Sequence, residues 1–431
     1  MSEDHIDWGY LERKAWEVLK KYPLCDRCLG RLFARLGHGL SNKDRGRAIK
    51  TSLIMTLHKM IIEGAPQSIF TDVAPNIGGP ASGLYRKLTG QDLEERTCAI
   101  CGGRLETFIE EAVERAIPLI KAYGVKRFIV GARVSPPILE REERIKEEYK
   151  LEHGESIRAE IRREIGKLIQ ERIDAVAEFE RPEATILVEF PSGAVWIQVN
   201  SLLLRGRYWK LGRMISQAYW PTPEGPKYFS IEQALWPLLK LTGGERVILH
   251  ASGREDVDAR MLGTGRPMVV EVKVPRRRDI PLQEMEETIN KSNRWVKIAL
   301  EGYATRQDIT LYKSEEARKE KTYKALIAVE GGVAEEELRK IEEELTGRVI
   351  MQRTPTRVLH RRPDILRRRR VLETSCKTLT KTLAECLITA EGGLYVKELI
   401  SGDNGRTTPS FSEILGRGAE CVELDVVAVK L

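Results

Sequence analysis

Apolar positions recur at helical spacing near the start of the chain. Leu11, Ala15, Val18 and Leu19 share one face of an amphipathic helix predicted around Trp8 to Lys20. LETFIEEAVERAIPLIKAYG, residues 105–124, repeats that period and closes at Gly124, which predicts a second helix. Between the two, TDVAPNIGGPASG is rich in Pro and Gly and reads as a loop. RFIVGARV reads as a strand, and the charged run from Leu139 to Phe179 as mostly helical with a break at Gly154. TILVEF and AVWIQVN predict two strands about the turn Pro191-Ser192-Gly193. Beyond a Pro-rich joint, WPTPEGP, strands dominate: RVILHASG, MVVEVKV, TYKALIAVEG, RVIMQRTP, LYVKELI and ELDVVAV. Helices are predicted among them near Leu282 to Lys291, Ala334 to Thr346 and Cys376 to Cys386.

This order divides the chain into residues 1–103, 104–220 and 221–431, an α+β protein. The middle part is a small α/β unit, and the last a mixed, mainly antiparallel sheet with helices against it. A chain of 431 residues is too long for a single core, and its 42% hydrophobic residues suffice for two or three. The formal charge of +7 suits a polyanionic partner, or equally the densely charged surface of a thermophile. No apolar run approaches the roughly 20 residues that span a bilayer, and MSEDHIDWGYLERKAW lacks the apolar stretch of a signal peptide. A cytoplasmic protein is expected, with its seven cysteines as reduced thiols or metal ligands rather than disulfides.

Cys25-x-x-Cys28 and Cys98-x-x-Cys101 each lie in a turn-like setting, CDRCLG and CAICGG. Two such knuckles supply four thiolates to one tetrahedral zinc. A site closed by four thiolates has no position for substrate, so the zinc is expected to be structural. The alternatives are two unrelated reduced pairs, or a redox dithiol, for which neither pair opens the necessary βαβ unit. Cys376, Cys386 and Cys421 stand alone and read as buried core thiols.

The stretch from His250 to Glu271, HASGREDVDARMLGTGRPMVVE, follows a strand and combines glycines with dense charge. It matches neither a P-loop nor a dinucleotide fingerprint, and its three arginines would compete with a metal cation. By spacing alone, Asp256 reads as a salt bridge in a charged loop. HRRPDILRRRR, from His360 to Arg370, gathers Arg361, Arg362, Arg367, Arg368, Arg369 and Arg370, a density that repels itself without a polyanion. It reads as a phosphate track, against a solvated face or an acidic intramolecular partner. Arg207, Lys210, Arg276, Arg277 and Arg278 are candidates to extend it.

GREDVDARMLGTGRP resembles the active-site motif of the archaeal and eukaryotic tRNA pseudouridine synthases that modify the TΨC loop. GRYWKLGRMISQAYW (206–220), RTPTRVLHRRPDILRRRRV (353–371) and GGLYVKELISGDNGRTTPSFSEILG (392–416) resemble further blocks of that family, and the early knuckles fit it too. The resemblance implies an N-terminal region with a THUMP domain and a pseudouridine synthase catalytic fold. It implies that Asp256 is the catalytic aspartate, that Tyr323 in KTYKALI stacks on the target uracil, and that Lys397 in LYVKELI is the basic partner of the aspartate. Leu424 in VELDVVAV would close the pocket. Val396 stands where isoleucine is frequent and Ala259 where valine is common, changes that leave the polar chemistry intact.

The implied reaction breaks the N1–C1′ bond, turns the uracil and rejoins it through C5. It needs no redox step and no external group, so no catalytic cofactor is expected. A carboxylate can carry it by attacking sugar or base. That carboxylate must stay ionised, which a neighbouring cation favours; Lys397 and Arg254 are the candidates. The base must leave its stack, and an aromatic ring can hold it there. Tyr323 suits that role, with its hydroxyl able to assist proton transfer at C5. Asp258 would then be structural, holding Arg260. The expected partner is the TΨC arm of tRNA, modified at position 54, 55 or both, with neither a membrane nor an obligate protein partner. A THUMP-type methyltransferase should show a Gly-rich loop after a strand, and a thiouridine synthase an SGGxDS-like loop; the chain has neither. A non-catalytic zinc-containing tRNA-binding protein is the remaining alternative.

Overall fold

In the computed structural model, which describes residues 9–314 and 320–430, the chain divides between Asn200 and Ser201. This corrects the expected boundary at 220/221. The segment ahead of the Pro-rich joint is a strand, β5 (Leu202–Lys210), hydrogen-bonded into the sheet of the second unit. The expected parts on either side of residue 103 share one core, in which Leu19, Leu53 and Phe70 join Val113, Ile161 and Ile186.

The first unit opens with α1 (Tyr10–Lys21), which buries Ala15, Trp16, Val18 and Leu19 as its periodicity requires. Trp8 lies outside the described residues. Next come α2 (Asp26–Arg31) and α3 (Asn42–Ile62), in contact because Gly30 has no side chain: a Cβ there would lie 1.8 Å from the Asn42 carbonyl oxygen. The stretch expected to be a loop is instead α4 (Ser68–Thr71), α5 (Ala74–Ile77), a 3₁₀ turn (Gly79–Ala81) and α6 (Ser82–Thr89). Its prolines fall in first turns, where a missing N–H breaks no helical bond, and Phe70, Val73, Ala74 and Ile77 are buried beneath.

After α7 (Leu105–Ala122), β1 (Arg127–Val134) leads to α8 (Pro136–Glu148) and α9 (Ile157–Arg172), with Gly154 in the break as expected. β2 (Val176–Ala177), β3 (Ala184–Phe190) and β4 (Ala194–Val199) complete a sheet in the order β2-β1-β3-β4. α7 and α9 pack against it, and β3 alternates strictly between buried and half-buried positions.

In the second unit β5 is followed by two short pairs, β6 (Ile215–Ser216) with β9 (Phe229–Ser230) and β7 (Pro221–Thr222) with β8 (Gly225–Pro226). Then come α10 (Ile231–Ala234), α11 (Pro237–Thr242), β10 (Arg246–Ala251), β11 (Arg260–Lys273), α12 (Leu282–Ser292), β12 (Val296–Tyr303) and α13 (Arg306–Ser314). The rest is β13 (Glu320–Val329), α14 (Glu335–Leu345), β14 (Val349–Arg353), β15 (Leu366–Thr380), β16 (Leu383–Glu391), α15 (Val396–Ser401), β17 (Thr407–Thr408), α16 (Phe411–Leu415) and β18 (Ala419–Val429). Among the described residues these strands form a ten-stranded sheet, ordered β12-β5-β11-β18-β13-β16-β15-β14-β17 with β10 beside β11. Every pairing in it is antiparallel except β11 with β18, which is the mixed, mainly antiparallel sheet expected.

Two expected elements change type. Cys376 to Cys386 is not a helix but the turn of the β15–β16 hairpin: Ala384, Cys386, Ile388 and Ala390 are buried at every second position, the period of a strand. Cys376 and Cys386 face each other across it as a disulfide, so they are not the separate reduced thiols expected. Conversely, LYVKELI is no strand. Val396, Leu399 and Ile400 are buried at i, i+3 and i+4, and Gly402 closes α15 in the left-handed conformation. Cys421 is free and half-buried.

Candidate active site

The loop between β10 and β11 carries Arg254, Glu255, Asp256 and Asp258. β11 then passes beside β18 at Gly263, whose φ of +52° and missing side chain permit the approach; a Cβ there would meet the Val427 carbonyl oxygen at 1.7 Å. That proximity brings four separate segments to one pocket. Asp256 comes from the loop, Tyr323 from β13, Lys397 from α15 and Leu424 from β18, and Arg254 lies on the same wall. Tyr323 and Leu424 are 9% and 7% exposed, so each presents only an edge to the cavity.

The ion pairs differ from those expected. The short contact of Asp256 is with Arg357, Nη2 to Oδ2 at 2.9 Å, while Lys397 Nζ stands at 3.9 Å. Lys397 donates instead to Asp258 at 2.6 Å. Burial opposes ionisation of Asp258, but the hydrogen bond and charge of Lys397 hold its pKa below the ordinary value. Asp258 therefore does not hold Arg260, which forks onto Asp425 at 2.9 and 2.6 Å. Arg357 also donates to the buried Glu398 at 2.6 Å. Burial works against its charge, but Glu398 and Asp256 more than compensate and keep it protonated. Arg254 has no ion pair among the described residues. Sequence reasoning missed Arg357, which lies just ahead of the phosphate track read from His360 to Arg370; its only signal was its place in RTPTRVLHRR.

The basic candidates separate into groups. Arg361, Arg362 and Arg367 line the pocket mouth around Tyr395: Arg362 Nη1 donates to the Tyr395 hydroxyl at 2.8 Å, and the Arg367 guanidinium lies 5.6 Å from its ring centroid. Arg368 and Arg370 are exposed on β15, and Arg369 donates to the Gly392 carbonyl at 2.8 Å. Arg276, Arg277 and Arg278 follow the far end of β11 and do not line the pocket. Arg207 is drawn to Glu301 at 3.2 Å. Lys210 is buried, with its side chain 1% exposed, which corrects its expected place on a phosphate track.

In the first unit Cys25, Cys28, Cys98 and Cys101 converge, with all four sulfurs within 4.8 Å of one another and Cys25 Sγ 3.6 Å from Cys101 Sγ. Tetrahedral Zn–S bonds of about 2.3 Å place sulfurs about 3.8 Å apart, so the set fits zinc. The buried Arg31 donates to Cys28 Sγ at 3.4 Å and pairs with Glu142 and Glu160 at 2.6 and 2.7 Å. Such a donor suits a metal-bound thiolate. No helix among the described residues is long and apolar enough to cross a membrane.

Comparison with known proteins identifies the relatives of this chain. The family described as "Pus10, C-terminal" matches residues 203–430, and "Pus10 THUMP domain, archaeal" matches residues 112–189. The tRNA pseudouridine synthase Pus10 of Aeropyrum pernix is 58% identical over 421 residues, 96% of each chain. That of Ignisphaera aggregans is 44% identical, over 96% of this chain and 97% of its own. That of Pyrococcus furiosus is 37% identical over the same shares. These relatives place the chain in the class of tRNA pseudouridine synthases, which are isomerases. The chain belongs to the Pus10 family.

Proposed function

We propose that this chain isomerises uridine to pseudouridine in the TΨC loop of tRNA, at position 54, 55 or both, with Asp256 as the nucleophile. The observation that carries this reading is the convergence of Asp256, Tyr323, Lys397 and Leu424 from four segments on one cation-rich pocket. A flipped uridine enters between the Tyr323 ring and Leu424. Asp256 meets the sugar or the base, with Arg357 and Lys397 beside the carboxylate through the reaction. The Tyr323 hydroxyl is the group we assign to proton transfer at C5. Cys25, Cys28, Cys98 and Cys101 hold structural zinc, and the unit that bears them contributes to RNA binding. The reaction draws on bonds already in the substrate, so it proceeds without an added cofactor, and its substrate makes the cytoplasm its place of action.

Incubation with an unmodified tRNA transcript, followed by mapping of pseudouridine at nucleotide resolution, tests the assignment. Conversion at 54 or 55 is the expected result; conversion only elsewhere in the tRNA would overturn the site, and none at all would leave a binding protein.

The arginines at the pocket mouth make a separate expectation. Replacing Arg361 and Arg362 by Gln weakens tRNA binding and reduces the slope of log K against log salt by about 1.5 to 2, one phosphate contact for each. The loss is similar for different tRNA sequences, because phosphate contacts position RNA without reading bases. An unchanged slope in a salt titration would assign both arginines to internal contacts such as that of Arg362 with Tyr395.

A further inference from the structure

Lys210 ends β5 beneath the loop that carries Asp256. Its ammonium donates to three main-chain carbonyls: Ile215 at 3.0 Å, Asp256 at 2.9 Å and Val257 at 3.2 Å. Two more carbonyls of the loop are held from outside it. Arg266 Nη1 donates to Ser252 at 2.8 Å, and Gln217 Nε2 to Gly253 at 2.9 Å. The backbone on both sides of the Asp256 side chain is therefore fastened by side chains of two strands, β5 and β11, and of the segment after β5.

The charges beneath the loop follow a pattern. Glu255 turns inward, 2% exposed, and accepts from Arg266 Nε at 2.9 Å and from the Tyr208 hydroxyl at 3.0 Å, with Lys210 at 3.8 Å. Arg266 and Lys210 are each 1% exposed. Two buried cations thus share one buried anion, and a single positive charge is left in excess behind Asp256. Burial pushes the Lys210 pKa down from its ordinary value, and Glu255 and Asp258 act against that shift.

We propose that Lys210 is a positioning residue for the reaction at Asp256: its ammonium fixes the peptide group of the nucleophile itself and supplies the uncompensated positive charge behind it. The proposal rests on the reading of Asp256 as nucleophile. A phosphate contact is closed to Lys210, because its three donors are spent on carbonyls and its side chain does not reach solvent.

Lys210→Met is the test. It leaves Glu255 and Arg266 as a neutral pair, so no buried charge is orphaned, and removes the donor to three carbonyls. The expected result is a fall of roughly a hundredfold in the single-turnover rate on saturating tRNA, since a misplaced reacting group costs about that much. KM for tRNA and the salt slope of binding stay unchanged. Lys210→Gln restores two N–H donors without the charge and recovers part of the rate. If Lys210→Met fails to fold, as circular dichroism would show, Lys210→Gln decides alone by the presence or absence of a rate loss. A folded variant with a rate within about twofold of the parent would overturn the proposal. So would weaker binding with a flattened salt slope, which is the signature of a phosphate contact. Asp256→Asn is run beside it. An active Asp256→Asn removes the nucleophile reading and the proposal with it, whereas an inactive one beside an unimpaired Lys210→Met removes the Lys210 role alone.

Discussion

Asp256→Asn abolishes pseudouridine formation, a loss on the order of 10⁴-fold or more in the single-turnover rate, while tRNA binding stays nearly as tight. The amide keeps the shape of the side chain and most of its hydrogen bonding but cannot act as an anionic nucleophile. It also leaves Arg357 and Lys397 in place, so the pocket stays cationic toward RNA. Binding and thermal unfolding are measured on the same preparation, because a collapsed loop would silence the enzyme as well. Asp258→Asn is the companion variant. Its carboxylate is about half exposed and holds Lys397 at 2.6 Å, so its loss costs about 1 kcal/mol of positioning, roughly fivefold in rate. A dead but folded Asp258→Asn beside an active Asp256→Asn would move the nucleophile two residues along the loop. Two active variants would remove the loop from the chemistry.

On the proposal that the four cysteines hold structural zinc, Cys28→Ser is expected to lose the metal and to destabilise the first unit enough to unfold much of it at the working temperature. Structural zinc contributes about 10–16 kcal/mol in small four-ligand sites, comparable to the whole stability of a domain. Cys28 is the sulfur on which Arg31 rests, and Arg31 in turn holds Glu142 of α8 and Glu160 of α9. Losing the metal therefore loosens helices far along the chain from either knuckle. Elemental analysis of protein purified without chelator should find about one zinc per chain in the parent and none in the variant. Hydrogen exchange should rise across α8 and α9. Absence of stoichiometric zinc in the parent, with all four thiols freely titratable under native conditions, would sink the site. Where any variant remains folded, its chemical step survives better than its tRNA binding, because a closed four-thiolate site has no position for substrate.

Much of the architecture could be read from local pattern. Helices such as α7, α9 and α14 carry their own period. The CxxC pairs need only the geometry of a knuckle to present two sulfurs, and GREDVDARMLGTGRP marks the loop of Asp256 by its residues alone. The errors share a cause. Cys376 to Cys386 reads as a helix until the turn between β15 and β16 is placed, after which its buried residues alternate. LYVKELI reads as a strand until Val396, Leu399 and Ile400 are seen to bury a helical face. Short apolar runs fit either period, and the partner surface decides between them.

The chain by itself determined which groups exist for the chemistry: a carboxylate in a glycine-bounded loop, an aromatic on a strand, four thiols in two knuckles and a surplus of arginine. Those are properties of residue type and short spacing, which survive without a fold. Only the tertiary structure decided which charge meets which. Arg357, not Lys397, makes the short contact with Asp256; Lys397 takes Asp258; Arg260 takes Asp425; and Lys210, equal in sequence to any surface lysine, is sealed beneath the loop. Pairings of this kind depend on strand register and on side chains from 46 to 165 residues apart. Coulomb energy halves from 3 to 6 Å, and excluding water multiplies it at either distance, so sub-nanometre placement by the packed core, rather than composition, assigns each charge its partner.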